Sequence, residues 1–112
     1  MQRFFVTCDG QLVGSTDLEF LDEGMGVAHG RFYPGPGYEV FRRRVLDAAE
    51  ARHARAPAPA DRPRFEVTAA AGELVRTRDV VIDDFDDVAV DPAISVFLDD
   101  RDQFLRLAGR SR

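Results

Sequence analysis

Residues 64–84 read RFEVTAAAGELVRTRDVVIDD, and residues 3–22 of the same chain read RFFVTCDGQLVGSTDLEFLD. With one residue inserted in the later stretch, Arg3, Phe4, Val6, Thr7, Gly10, Leu12, Val13, Asp17 and Asp22 align with Arg64, Phe65, Val67, Thr68, Gly72, Leu74, Val75, Asp79 and Asp84. Nearly half the aligned positions are identical. Most others keep their chemistry, as Gln11 with Glu73, Ser15 with Thr77, Leu18 with Val80 and Phe20 with Ile82. We read this echo as an internal duplication. A chain of 112 residues fits one domain with one core. The two copies, about 1–56 and 64–109 with a connector at 57–63, are therefore halves of a single folding unit.

The local pattern assigns the elements. RFFVTC alternates, with Phe4, Val6 and Cys8 on one side and Arg3, Phe5 and Thr7 on the other, the period of a strand. Asp9-Gly10 then marks a tight hairpin turn, because the favoured two-residue turns need positive φ. QLVGSTDLEFL is the returning strand, with a bulge or bend at Gly14 or Ser15–Asp17, and GVAHGRFY is a third extended segment. From Gly37 the period becomes helical, with Tyr38, Phe41, Val45, Ala48 or Ala49, and Arg52 on one face, predicting a helix over 37–54. APAPADRPR cannot continue it.

The second copy retraces this route through RFEVTA, ELVRTRDVVID and VAVDPAISVFL. A short closing helix follows in DDRDQFLRLAG, with Asp99 or Asp100 as cap, Gln103 in capping-box position and Gly109 as stop. The expected fold is α+β: a duplicated strand-strand-strand-helix unit forming one pseudo-two-fold sheet or partly closed barrel with a long central helix.

Composition narrows the function classes. Hydrophobic residues make up 45% and charged ones 31%, as in a globular protein and unlike a disordered chain. No apolar run is long enough to span a membrane. MQRFFVTCDG lacks the features of a secretory signal, and Cys8 is the only cysteine, so the expected location is the cytoplasm. All fifteen basic residues are Arg, and twenty acidic ones leave a net charge of −5. That excess argues against nucleic-acid binding, which needs a basic surface to neutralise phosphates. Arg42, Arg43 and Arg44, splayed by a helix, are expected to pair with Glu39 and Asp47.

Cys8 with His29 invites a nucleophile reading, but Cys8 aligns with Ala69 on the apolar face and reads as core. Cys8, His29 and His53 lack the paired spacing of a zinc site, so no metal or other cofactor is expected and no catalytic set is assigned. Two segments remain where the copies part. In the Gly-rich segment 25–39, His29, Tyr33, Tyr38 and Glu39 are ligand-pocket candidates, because glycine backbone permits close approach and a helix start offers free amides. It matches neither phosphate-binding glycine pattern. In DDFDDVAVD, residues 83–91, Asp83, Asp84, Asp86, Asp87 and Asp91 are partner-binding candidates, because dense negative charge speeds encounter with a basic protein. Their spacing is not that of an EF-hand.

The phrase LVGSTDLEFLDEGMGVAHGRFYP, about the first third of the chain, resembles a segment of small uncharacterised bacterial proteins; that resemblance implies no activity and no catalytic residues. The leading expectation is a non-enzymatic protein-binding module, immunity- or antitoxin-like, that captures a basic partner through its acidic surface. The alternative is a small-molecule-binding protein or hydrolytic enzyme using 25–39, with His29 as acid, base or ligand. An exposed strand edge also offers a second copy of the chain a place to pair.

Overall fold

The chain is described by a computed structural model covering residues 2–87 and 89–110; Met1, Val88, Ser111 and Arg112 lie outside the described residues, Val88 within the acidic stretch. The first hairpin is β1 (Phe4–Cys8) and β2 (Gln11–Thr16). Asp9 and Gly10 both take positive φ between them, 52° and 77°, as the tight turn requires. Val6 lies opposite Gly14 but Thr7 lies opposite Leu12, so Val13 is an extra residue in β2. This bulge buries Val13 and Gly14 in succession and turns Leu12 outward.

The returning segment then breaks. Thr16 accepts a hydrogen bond from the Leu18 amide through Oγ1 (3.1 Å), and Leu18 takes φ 46° while fully buried. Beyond it the chain resumes as β3 (Phe20–Asp22). The long β4 (Val27–Pro34) pairs with both pieces: Thr16 faces Phe32, and Phe20 faces His29.

The second half holds β5 (Phe65–Ala69), β6 (Thr77–Asp83) and β7 (Ala93–Leu98). Strand order is β5-β1-β2-β4-β7-β6, with β3 attached to β4, all pairings antiparallel. Leu74 bridges Thr68, and Val75 donates to the Val67 carbonyl (2.8 Å) before the chain enters β6. These bonds bring the end of the path back to β5. The result is a nearly closed antiparallel barrel, an arrangement that leaves few strand edges free.

Across the β1–β5 seam Val6 faces Val67, Phe4 faces Ala69 and Cys8 faces Phe65. On the opposite side of the strand order, His29 faces Ser95 in the β4–β7 pairing. The halves also differ. The first has four strands where the sequence predicts three, because Leu18 splits what continues through β6 in the second.

Two helices flank the barrel. Pro36–Tyr38 form a 3-10 turn leading into α1 (Glu39–His53), so the regular helix starts two residues after the predicted point. Gly37 explains the tight entry, since a Cβ there would stand 2.4 Å from the Leu12 carbonyl oxygen. α1 buries Phe41, Val45, Ala48 and Ala49 and lies against β6. In α2 (Arg101–Leu107), Asp100 caps the helix by accepting from the Gln103 amide at 3.0 Å. The buried Gln103 side chain turns to the neighbouring strand segment instead of completing a capping box. It accepts from the Arg76 amide (2.9 Å) and donates to the Leu74 carbonyl (2.9 Å), tying α2 to the strand before β6. Phe104 stacks on Phe4 at 5.5 Å. One apolar cluster draws on both halves and both helices, from Phe4, Val6 and Phe32 to Val67, Ile94 and Phe104. No helix among the described residues is long and apolar enough to cross a membrane.

Candidate functional site

The two segments singled out by sequence meet. Phe32 of β4 donates its amide to the Pro92 carbonyl (2.8 Å), which draws the entry to β7 against the end of β4. Asp91 and Pro92 thereby stand between two adjoining clefts.

The larger cleft is an open recess of about 590 Å³ lined by Glu19, Phe20, His29, Gly30, Arg31, Tyr33 and the Asp91–Ala93 turn. Strand pairing builds one wall, because the register sets Phe20 opposite His29 and their rings stack at 5.4 Å. Phe20 is 60% exposed, too open for a core position. Tyr33 carries the guanidinium of Arg3 over its ring at 5.0 Å, and Arg3 itself pairs with Asp17 at 2.8 Å. Glu19 lies over Gly30, with Oε2 accepting from the Arg31 amide at 3.3 Å. The space falls in the range of small-ligand pockets, and it combines apolar rings with a few polar groups.

The smaller cleft, about 410 Å³, is lined by Pro34, Tyr38, Glu39, Arg42, Asp84, Asp87, Val90, Asp91 and Pro92. Its polar groups are largely committed to the fold. Tyr38 is 2% exposed and donates its hydroxyl to Asp84 at 2.8 Å. Burial, and then the Asp84 carboxylate, push its ionisation well above the usual range. Arg42 joins Asp84 at 3.2 Å and also pairs with Asp86, while Arg52 reaches Asp83 at 2.6 Å. Asp84 and Asp87 further accept the amides of Asp86 and Ala89, bending the loop with their own side chains.

Of the acidic candidates, Asp83, Asp84 and Asp86 are thus neutralised from α1, whereas Asp87 and Asp91 are exposed and make no ion pair among the described residues. Of the pocket candidates, His29 and Tyr33 line the larger cleft, and Tyr38 and Glu39 the smaller. The Arg cluster divides: Arg43 pairs with Asp47 as expected for an exposed helix face, but Arg42 crosses to the acidic loop. Cys8 is 2% exposed, and burial raises its thiol pKa, which favours the unreactive form. No group of three or more potential metal ligands occurs among the described residues.

Sequence reasoning passed over Glu19, Phe20, Arg31 and Pro92. Phe20 aligns with Ile82 in the sequence, yet Ile82 is buried and Phe20 exposed. Gly30 was the available signal, since a glycine within a strand marks a close approach. Comparison of the chain with protein-family models, curated proteins and solved structures finds no match in any of the three.

Proposed function

We propose that this protein is a small-molecule-binding module whose ligand occupies the recess between β3, β4 and the turn into β7. The observation that carries the reading is the convergence of Glu19, Phe20, His29, Tyr33 and Asp91 around one space of about 590 Å³. The Phe20 ring is exposed at the recess, and polar groups beside it supply orientation. The described contact of His29 is its stack with Phe20, which favours binding over hydrolysis as its task. The scaffold reading is a duplication. The β1–β5 register supports it: Val6 faces its equivalent Val67, and Phe4–Ala69 and Cys8–Phe65 are reciprocal pairs, as two copies related by a two-fold axis through the valine pair require.

A fragment screen followed by amide chemical shifts tests the ligand reading. Saturable shifts should gather on residues 19–20 and 29–33, and His29→Ala with Tyr33→Ala should abolish them without lowering stability, since neither residue belongs to the core. Binding that persists in the double variant would refute it.

A second reading, capture of a basic protein through the acidic loop, has one observation in its favour. Phe85 is 55% and Val90 46% exposed, flanking Asp86 and Asp87, so apolar and acidic surface are interleaved. On that reading the contact residues are Phe85, Asp87, Val90 and Asp91, with Asp83 and Asp84 holding the loop. Co-purification of a partner that survives both Phe85→Ser and Asp87→Arg would dispose of it. A cytoplasmic setting belongs with either reading as a proposal.

A further inference from the structure

Two opposite charges line the recess without pairing. Arg31 and Asp91 are both exposed there, and neither makes an ion pair among the described residues. The strand ladder sets them on one surface. Arg31 faces Ala93 across the β4–β7 pairing, and buried positions alternate with open ones without a break from Leu98 back to Asp91. Arg31, Ala93 and Asp91 therefore point outward together, with Arg31 and Asp91 on a diagonal of the ladder, about 7–8 Å apart at the backbone and within reach of long side chains. Ala93, the small residue beside them, leaves the space above it open.

The remaining charges near the recess are committed to the fold. Glu19 Oε1 is buried and Oε2 accepts from the Arg31 amide, so this carboxylate is turned away from the open space. The Arg110 guanidinium, donating to the Leu18 and Glu19 carbonyls at 2.9 and 3.4 Å, sets a positive charge beside it. Arg3, over the Tyr33 ring, is balanced by Asp17. What faces the recess is one guanidinium and one carboxylate, next to the exposed ring of Phe20 on its His29 neighbour. A ligand with a single charge would meet one of the two and be repelled by the other. We propose that the recess takes an amphoteric ligand of the aromatic amino-acid class, its carboxylate on the Arg31 guanidinium, its ammonium on Asp91 and its ring along Phe20. Both contacts are charge-assisted hydrogen bonds, and a guanidinium can hold a carboxylate through two parallel N–H donors. This rests on the reading of the recess as a ligand site and adds the chemical class.

The test uses three probes that share a phenyl ring on a two-carbon chain: phenylalanine with both charges, phenethylamine with the ammonium alone, and hydrocinnamate with the carboxylate alone. Amide shifts of Phe20, Arg31 and Ala93 are followed during titration into the whole protein at neutral pH. Phenylalanine should give saturable shifts there and bind about tenfold more tightly than either of the others, the gain expected from one further charge-assisted hydrogen bond. Arg31→Gln should bring phenylalanine down to the affinity of phenethylamine, and Asp91→Asn down to that of hydrocinnamate, with the thermal midpoint of each variant checking the fold. Either singly charged probe binding as tightly as phenylalanine, or either variant binding phenylalanine unchanged, overturns the amphoteric class and leaves the ligand site standing. Failure of all three probes overturns that class as well, and a blank fragment screen beside that failure removes the ligand site itself.

Discussion

Val6 and Val67, equivalent positions in the two echoing stretches, face each other at the centre of the β1–β5 seam, and both are completely buried. Each side chain packs where the halves join, so the pair ties the duplication reading to stability. Truncation of either to Ala should cost about 2 kcal/mol in urea unfolding, with the two costs similar. As contacting residues they should also couple, with the double variant departing from the sum by about 0.5 kcal/mol or more. Simple additivity would show that the seam is not a shared packing unit.

The Tyr38–Asp84 hydrogen bond joins the start of α1 to the end of β6, with the Asp84 side chain 8% exposed. Asp84→Ala leaves a buried hydroxyl without its acceptor and Arg42 without its better-shielded partner. It should cost about 2–3 kcal/mol, against less than about 0.5 for the exposed Asp87→Ala. Equal costs would mean that the acidic loop is not anchored in this way.

The raised Tyr38 ionisation has a definite sign. Tyr38 stays protonated in the fold but ionises at pH about 10 once unfolded, so above that pH the unfolded chain binds fewer protons. Its contribution is complete below pH about 10 and falls as pH rises further. In a Tyr33→Phe background, phenolate absorbance should appear together with the loss of circular dichroism, not ahead of it.

Gly14 is enclosed on both sides: a Cβ would stand 2.4 Å from the Tyr33 carbonyl oxygen and 2.6 Å from the Phe32 ring. Neither neighbour yields easily, one being backbone of the paired strand and the other core. Gly14→Ala should destabilise by about 2 kcal/mol or more, while Gly24→Ala, whose nearest neighbour is a side-chain oxygen at 3.5 Å, should be near neutral. Calorimetry of the two variants makes the comparison.

Glu73 is held at a pKa of about 2 by the Arg106 guanidinium and then by Gln103. A lowered folded pKa stabilises the protein above the unfolded value near 4.5, and that contribution disappears as pH falls through about 2. The advantage of the native chain over Glu73→Gln should therefore shrink steadily across this window. An advantage independent of pH would assign Glu73 a packing role only.

Alternation and helical spacing carried much of the architecture. Phe4, Val6 and Cys8 point inward, as do Phe65, Val67 and Ala69, and Tyr38, Phe41, Val45, Ala48 and Ala49 line the buried face of α1 and its entry. These features depend on neighbours a few residues away, so they are legible in one dimension. The break at Leu18 was less visible. It depends on the Thr16 hydroxyl oxygen accepting from the Leu18 amide, which favours a left-handed residue where nothing in the side chain of leucine asks for one.

The amino-acid order by itself determined the inward-facing positions, the Asp9-Gly10 turn and the helix of the first half, and it singled out segments 25–39 and 83–91. Only tertiary structure decided that those segments adjoin, because the Phe32–Pro92 hydrogen bond spans most of the chain and no local pattern encodes it. The same closure sent Arg42 and Arg52 to Asp84 and Asp83, turning part of an apparent acidic surface into an internal strut. It also set Glu19 over the bare strand at Gly30, a close approach between two residues that are unremarkable in the sequence. Secondary structure follows from short-range sterics and periodicity, whereas charge pairing and cavities depend on which distant surfaces the barrel brings into contact.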